Sequence, residues 1–265
     1  MKINNYTTSF VDTGPHKGPT LVFIHGFPLD HTQWQPQIDF FLNHVRCVAY
    51  DVRGHGKSHG GDSFWTVDDL VDDLHALITN LHLKKIILVG LSMGGYIALR
   101  ALERFPKKFE GLILCDTRAE ADANEGKLKR AQGLKDVRIN GVKPYVETAV
   151  ESLLFKDTFK QKPSLVENTL KVMKQTSNEG VKATLMALSC RMDMTAFLPQ
   201  IKVPTLILVG IDDKITPVSV AKSMHKKIPH SLLKVIPNAA HLSNLEQPEI
   251  FNQYLFNFLI DNYLK

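Results

Sequence analysis

The 265-residue sequence predicts an α/β fold: an open, doubly wound, mostly parallel sheet that carries one helical insertion. Three observations predict it. Short apolar runs rich in Val, Ile and Leu are continuous rather than alternating, as strands covered on both faces require. These runs alternate with longer segments at helical period, the rhythm of right-handed strand–helix–strand crossovers. The rhythm breaks once, between residues 117 and 200, where helical periodicity continues without a buried strand.

Strands are expected at 20–24, 45–50, 86–89, 111–115, 205–209 and 232–236, and helices at 66–81, 94–105, 218–228 and 249–263. The acidic positions Asp68, Asp69, Asp72 and Asp73 suit the first turns and solvated face of the 66–81 helix, where carboxylates meet the positive end of its dipole. Inside the break, helical periodicity covers 142–155 and 163–175 and continues over 184–190; Pro199 and Pro204 punctuate the return. Residues 1–117 and 201–265 are therefore expected to form the core. Residues 118–200 are expected to form a helical cap inserted between core strands, over one end of the sheet.

A hydrophobic fraction of 44% and a charged fraction of 22% are ordinary for a globular chain and argue against disorder. The formal net charge of +5 comes from scattered lysines, and doublets such as Lys84-Lys85 have no interleaved aromatics. That pattern suits a solubilising surface, not a nucleic-acid footprint. No run approaches the roughly 18 apolar residues of a membrane span, and the opening residues lack the apolar core of a secretory signal. Cys47, Cys115 and Cys190 are odd in number, far apart and set in apolar segments, so they are expected reduced and buried. The address expected is cytoplasmic and the partner a small-molecule substrate, with no nucleic acid and no membrane. The sequon at Asn5 then carries no weight.

Chemistry enters at Gly90-Leu91-Ser92-Met93-Gly94, a G-x-S-x-G between the 86–89 strand and the 94–105 helix. This is the context a nucleophile elbow needs. The turn is so tight that its flanking glycines must lack side chains, and Ser92 is pushed into a strained conformation at the sheet's carboxyl edge. Acyl transfer also needs two N–H donors for the tetrahedral oxyanion. One is expected from Met93, after the nucleophile, and one from Phe27 in the His25-Gly26-Phe27-Pro28 loop after the first strong strand. His25 is read as a structural histidine that pins this loop.

The acid and base come from two later strand ends. The 205–209 strand runs into Gly210-Ile211-Asp212-Asp213, and the 232–236 strand into Pro237-Asn238-Ala239-Ala240-His241. Both put a polar side chain on the edge where open α/β sheets carry their sites, in the chain order Ser…Asp…His. Asp213 is preferred as acid over Asp212 and Asp116, and His241 as base over His225, inside a charged helix, and His230, before a strand. Gly54–Ser58 fails as a phosphate loop, because Asp51 stands where the first glycine belongs. His55 and His59 have helical ligand spacing but lie among glycines, so no metal is expected.

These segments together resemble the α/β-hydrolases. His25-Gly26-Phe27-Pro28, the Asp51–Ser58 stretch DVRGHGKS, GLSMGG at 90–95, GIDDKITP at 210–217 and AAHLSNLEQP at 239–248 fall in that family's order, across residues 6–258. The likeness is greatest to the branch of 3-oxoadipate enol-lactonases, small carboxylesterases and haloperoxidase-like esterases. It implies Asp213 as the acid and His241 as the base, and needs no cofactor. The HG-x-P loop also resembles that of epoxide hydrolases and dehalogenases. Their nucleophile is an aspartate, however, and the elbow here carries Ser92, which attacks carbonyls.

The expected function is hydrolysis of a small carboxylic ester or lactone through an acyl-enzyme on Ser92. The alternatives are perhydrolase or lyase chemistry on the same triad, and a non-catalytic binding protein on the same scaffold. Arg118, Arg130, Arg138 and Arg191 could each offer a substrate carboxylate a partner or serve as ordinary ion pairs, and Arg118 and Arg191 are the substrate-binding candidates.

Overall fold

The computed structural model describes residues 1–61 and 64–264; residues 62, 63 and 265, within the expected core segments, lie outside them. A short antiparallel pair, β1 (Lys2–Ile3) and β2 (Tyr6–Thr7), opens the chain. The main sheet contains β3 (Phe10–Thr13), β4 (Thr20–Ile24), β5 (Arg46–Tyr50), β6 (Ile86–Leu91), β7 (Phe109–Cys115), β8 (Thr205–Gly210) and β9 (Leu232–Ile236). Their order is β3-β5-β4-β6-β7-β8-β9, with β3 antiparallel to β5 and every other pairing parallel.

The continuous apolar runs behave as covered strands. Every residue of β4, β6 and β8 is buried, and successive side chains leave on opposite faces. Val22 and Ile24 join the core beneath α2 (Val67–Asn80), α3 (Met93–Arg104) and α9 (Val218–Lys227), whereas Leu21 and Phe23 join the core beneath α1 (Gln35–Phe41) and α11 (Pro248–Asn262). Each such side chain taken fully out of water contributes about 1.5–3 kcal/mol. At the edge, β9 alternates between exposed and half-buried residues until Ile236, because it pairs only with β8. β3, which is polar at Asp12 and Thr13, showed no continuous apolar run for sequence reading to find.

Helix α2 begins at a capping box. Thr66 Oγ1 accepts from Asp69 N at 3.3 Å and Asp69 Oδ2 accepts from Thr66 N at 2.7 Å. Within the rest of its acidic run Asp72 is exposed as expected, whereas Asp73 is buried. Asp73 forms a two-bond pair with Arg53 at 2.7–2.8 Å, and Asp68 and Asp72 receive Arg104, with Arg100 also on Asp68.

Between β7 and β8 the chain runs through α4 (Asn124–Asn140), α5 (Val142–Leu153), α6 (Thr158–Gln161), α7 (Pro163–Gln175) and α8 (Asn178–Ser189). Helix α4 was invisible to periodicity because only Gly133 and Val137 on it are buried, whereas α5 buries Val142, Val146 and Val150 at helical spacing. Thr176 Oγ1 donates to Pro28 O at 3.1 Å, and Leu242 N donates to Leu153 O at 3.2 Å, so these helices are tied to loops at the carboxyl ends of the strands. The short α10 (Ser243–Glu246) lies in one of those loops. Cys47 and Cys115 are buried as expected, but Cys190 is exposed: it follows the last turn of α8, past the packed face. No helix of the described residues is long and apolar enough to cross a membrane.

Candidate active site

Ser92 stands between β6 and α3 with φ +51° and ψ −112°, a backbone conformation that costs a non-glycine residue about 1–3 kcal/mol. The turn is held by its neighbours: Ser92 N donates to Cys115 O at 3.0 Å and Thr117 Oγ1 donates to Ser92 O at 2.8 Å. Gly94 must be glycine, since a Cβ there would sit 2.0 Å from Ile24 O. Ser92 is half-buried and lines a cavity of about 170 Å³ together with Phe27, Tyr96, Arg130, Ile215 and His241.

Asp213 and His241 meet beside it. His241 Nδ1 lies 2.8 Å from Asp213 Oδ2, and both side chains are buried. Asp213 Oδ1 accepts from Ile215 N at 2.8 Å and Thr216 N at 2.9 Å, and Oδ2 accepts from Thr216 Oγ1 at 2.6 Å. Burial works against charge on Asp213, but the His241 charge and the hydrogen bonds from His241 and Thr216 outweigh it, lowering the carboxyl to about 2. An ionised carboxylate only accepts, so Nδ1 donates to it, and in the neutral imidazole this tautomer leaves the lone pair on Nε2. The structure shows no hydrogen bond between Ser92 Oγ and the imidazole; the two groups face a shared cavity. Loose contacts of this kind are common before substrate arrives.

The two loops that deliver this pair are locked to each other. Ile211 N donates to Ile236 O at 2.9 Å and Asp212 N to Ala239 O at 3.0 Å. The rival acids and bases lie elsewhere. Asp212, His225 and His230 are exposed. Asp116 is fully buried behind Asp213, accepting from Gly210 N at 2.8 Å and Ser243 Oγ at 2.5 Å. Burial and then the charge of Asp213 raise its carboxyl well above the usual range.

On the other side of the cavity, His25 Nε2 accepts from Val52 N at 2.9 Å, so the imidazole pins the loop that carries Phe27. Among the described residues, neither the Phe27 N–H nor the Met93 N–H has an acceptor in the protein.

Arg118 and Arg191 are not in this cavity. Both line a neighbouring one, where Arg191 is buried against Asp122 at 2.8 Å. Arg138 is exposed. Of the four arginines it is Arg130, on α4, that reaches the Ser92 cavity, and its guanidinium is anchored on the other oxygen of Asp122. Among the described residues, the side chains of Asp30, His31 and Asp51 have metal-ligand atoms within 4.8 Å of one another. Those of Asp51 are already engaged: Oδ1 contacts His31 Nδ1 at 2.6 Å and accepts His31 N at 2.9 Å, and Oδ2 accepts Lys57 N at 2.9 Å, which clamps two loops together.

Sequence reading missed Glu246. It is fully buried, with Oε1 accepting from Phe155 N at 2.7 Å and Thr158 Oγ1 at 2.5 Å, and Oε2 accepting from Ala240 N at 2.7 Å. One carboxylate thus ties the residue before His241 to the helical insertion. The expected result of Glu246→Ala is a loss of about 3 kcal/mol or more, because buried N–H donors lose their acceptor. Urea unfolding would measure it as a lowered midpoint.

With this geometry in view, comparison with known proteins is specific. The alpha/beta hydrolase fold family matches residues 19–248. The 3-oxoadipate enol-lactonase 2 of Acinetobacter baylyi is 31% identical over 248 residues, covering 94% of this chain and 90% of that protein. A thermophilic esterase from Thermogutta terrifontis, solved with malate bound, superposes with a TM-score of 0.92 at 36% identity, covering 96% of this chain and 93% of that one. The enol-lactonase of Burkholderia xenovorans LB400 superposes at 0.91 with 24% identity, over 97% of this chain and 98% of that one, a likeness of fold. The chain belongs to the alpha/beta hydrolase fold family.

Proposed function

We propose that this protein hydrolyses small carboxylic esters or lactones that carry a free carboxylate, through an acyl-enzyme on Ser92. The observation that carries the reading is the buried Asp213–His241 pair opening, with the strained Ser92, onto one small cavity.

His241 Nε2 takes the Ser92 proton as Oγ attacks the carbonyl carbon, and Asp213 holds the tautomer and stabilises the imidazolium. The carbonyl oxygen, now negative, is received by the N–H groups of Phe27 and Met93. Collapse breaks the bond to the leaving oxygen, which takes the proton from His241 and departs as the alcohol of an ester or stays on the acyl chain of an opened lactone. Water then repeats the sequence on the acyl-enzyme and frees the acid.

Arg130 supplies the carboxylate preference. It and Arg191 share the single carboxylate of Asp122, so two guanidiniums meet one negative charge beside the cavity. The relatives suit this chemistry, since the enol-lactone of 3-oxoadipate keeps one free carboxylate and malate carries two. A paired panel tests it: a short ester bearing a carboxylate against its neutral isostere. Arg130→Gln is expected to raise KM for the charged ester about tenfold more than for the neutral one, the loss of one charge-assisted contact. An equal change for both removes Arg130 from substrate selection. A fluorophosphonate that labels wild type but not Ser92→Ala supports the acyl-enzyme; absence of labelling in wild type refutes it.

A further inference from the structure

We propose that the cavity lined by Arg118, Arg100 and Arg191, outside the Ser92 cavity, binds a small oxyanion, a carboxylate or phosphate, and that this ligand acts on the Asp213 turn through Arg118.

The cavity has a volume of about 140 Å³, the size of a small ion with a few waters, and its wall includes Tyr96 and Asp68. Its three guanidiniums are not equivalent. Arg100 is held by Asp68 at 2.8 Å and by Glu103. Arg191 is held by Asp122 at 2.8 Å and by the carbonyls of Leu188 and Glu120 at 2.9 Å. Arg118 is half-buried, and among the described residues no carboxylate lies within 4.0 Å of it; its hydrogen-bond partner is the backbone carbonyl of Ile215. A guanidinium has five N–H donors in a planar fork. Most of those on Arg118 are unmatched, in a partly desolvated wall where a neutral carbonyl compensates little charge. Asp68 does not fill the gap, since Arg100 and Arg104 already share it. An oxyanion matches the fork bidentately and supplies the missing charge.

Two contacts connect this cavity to the candidate active site. Tyr96 lines both cavities, with the Arg191 guanidinium 4.3 Å above its ring, so one aromatic side chain separates them. The Ile215 carbonyl that receives Arg118 belongs to the residue whose N–H donates to Asp213 Oδ1 at 2.8 Å. An anion held bidentately by the free donors turns the guanidinium fork toward this cavity and draws Nη2 away from Ile215. Withdrawing Arg118 loosens the turn that aims Asp213 at His241, so kcat falls while KM changes little. Binding itself does not depend on the ester-hydrolase reading; only this effect on rate rests on it.

The test is calorimetric titration of the full chain with sodium acetate and, separately, inorganic phosphate. One site of about 1 mM affinity or tighter is expected for at least one of them. Acetate alone identifies a carboxylate ligand, phosphate alone a phosphate. Arg118→Gln is expected to weaken binding about tenfold, and Arg118→Lys, which keeps the charge but loses the fork, by less. Arg138→Gln is expected to leave it within about twofold, because Arg138 is exposed and lines neither cavity. With a neutral ester, saturating anion lowers kcat of the wild type and leaves Arg118→Gln unaffected. Three results overturn the site: no binding by either anion, binding unchanged in both folded Arg118 variants, or binding lost in Arg138→Gln. Binding without any change in kcat of an active enzyme overturns the coupling.

Discussion

Replacing Ser92 by alanine is expected to lower kcat on a p-nitrophenyl ester by about a millionfold, the cost of removing the nucleophile from the acyl-enzyme route proposed above. The variant keeps the elbow, whose glycines and Thr117 contact do not involve Oγ, so the loss is chemical. Alanine is strained at φ +51° as serine is, and stability stays close to wild type. What remains is the catalysis that the N–H donors and substrate binding provide without a nucleophile. The measurement is steady-state turnover of purified, folded variant. Activity within tenfold of wild type would remove Ser92 from the mechanism and leave the cavity a binding site.

The second large effect belongs to Asp213. Asp213→Asn is nearly isosteric, and its amide nitrogen or oxygen can still face His241 Nδ1. An amide oxygen can also take the Ile215 and Thr216 N–H bonds now made to Oδ1. The change lies in the imidazole: a neutral partner no longer stabilises its protonated form and can hold the wrong tautomer, so kcat is expected to fall about ten-thousandfold. In wild type, Asp213 is lowered to about 2 by the His241 charge and by hydrogen bonds that outweigh its burial. It therefore stays ionised at neutral pH. Folded below its ordinary carboxylate value, it contributes stability above about pH 4 that is lost as the pH falls toward 2. An acid limb of kcat/KM well above pH 4 would have to come from another group. Asp213→Asn turnover near wild type would reassign the acid, and Asp116, buried next to it, would then be the residue to test.

The core was legible because its signals are short-ranged. A strand covered on both faces must be apolar at every position, and β4, β6 and β8 read that way. The elbow was legible because glycine at 94 answers a steric demand within a few residues of Ser92 and against the neighbouring strand. Helix α4 escaped notice for the opposite reason: with only Gly133 and Val137 buried, it leaves no stripe. Glu246 escaped because its partners at Phe155 and Thr158 lie some ninety residues upstream, and nothing near it in the chain shows that it will be buried.

The arginines mark where sequence stops and tertiary structure begins. By itself, the sequence determined the strand–helix alternation, the serine elbow and the order of the acid and base loops, because local periodicity and turn sterics dictate them. Only the folded chain decided that Arg130 faces the Ser92 cavity, that Arg191 is buried against Asp122, and that Arg118 turns to Ile215. A long cationic side chain goes wherever a charge partner or carbonyl compensates its desolvation. Those partners are brought to it by packing of segments distant in the chain, which no local pattern records.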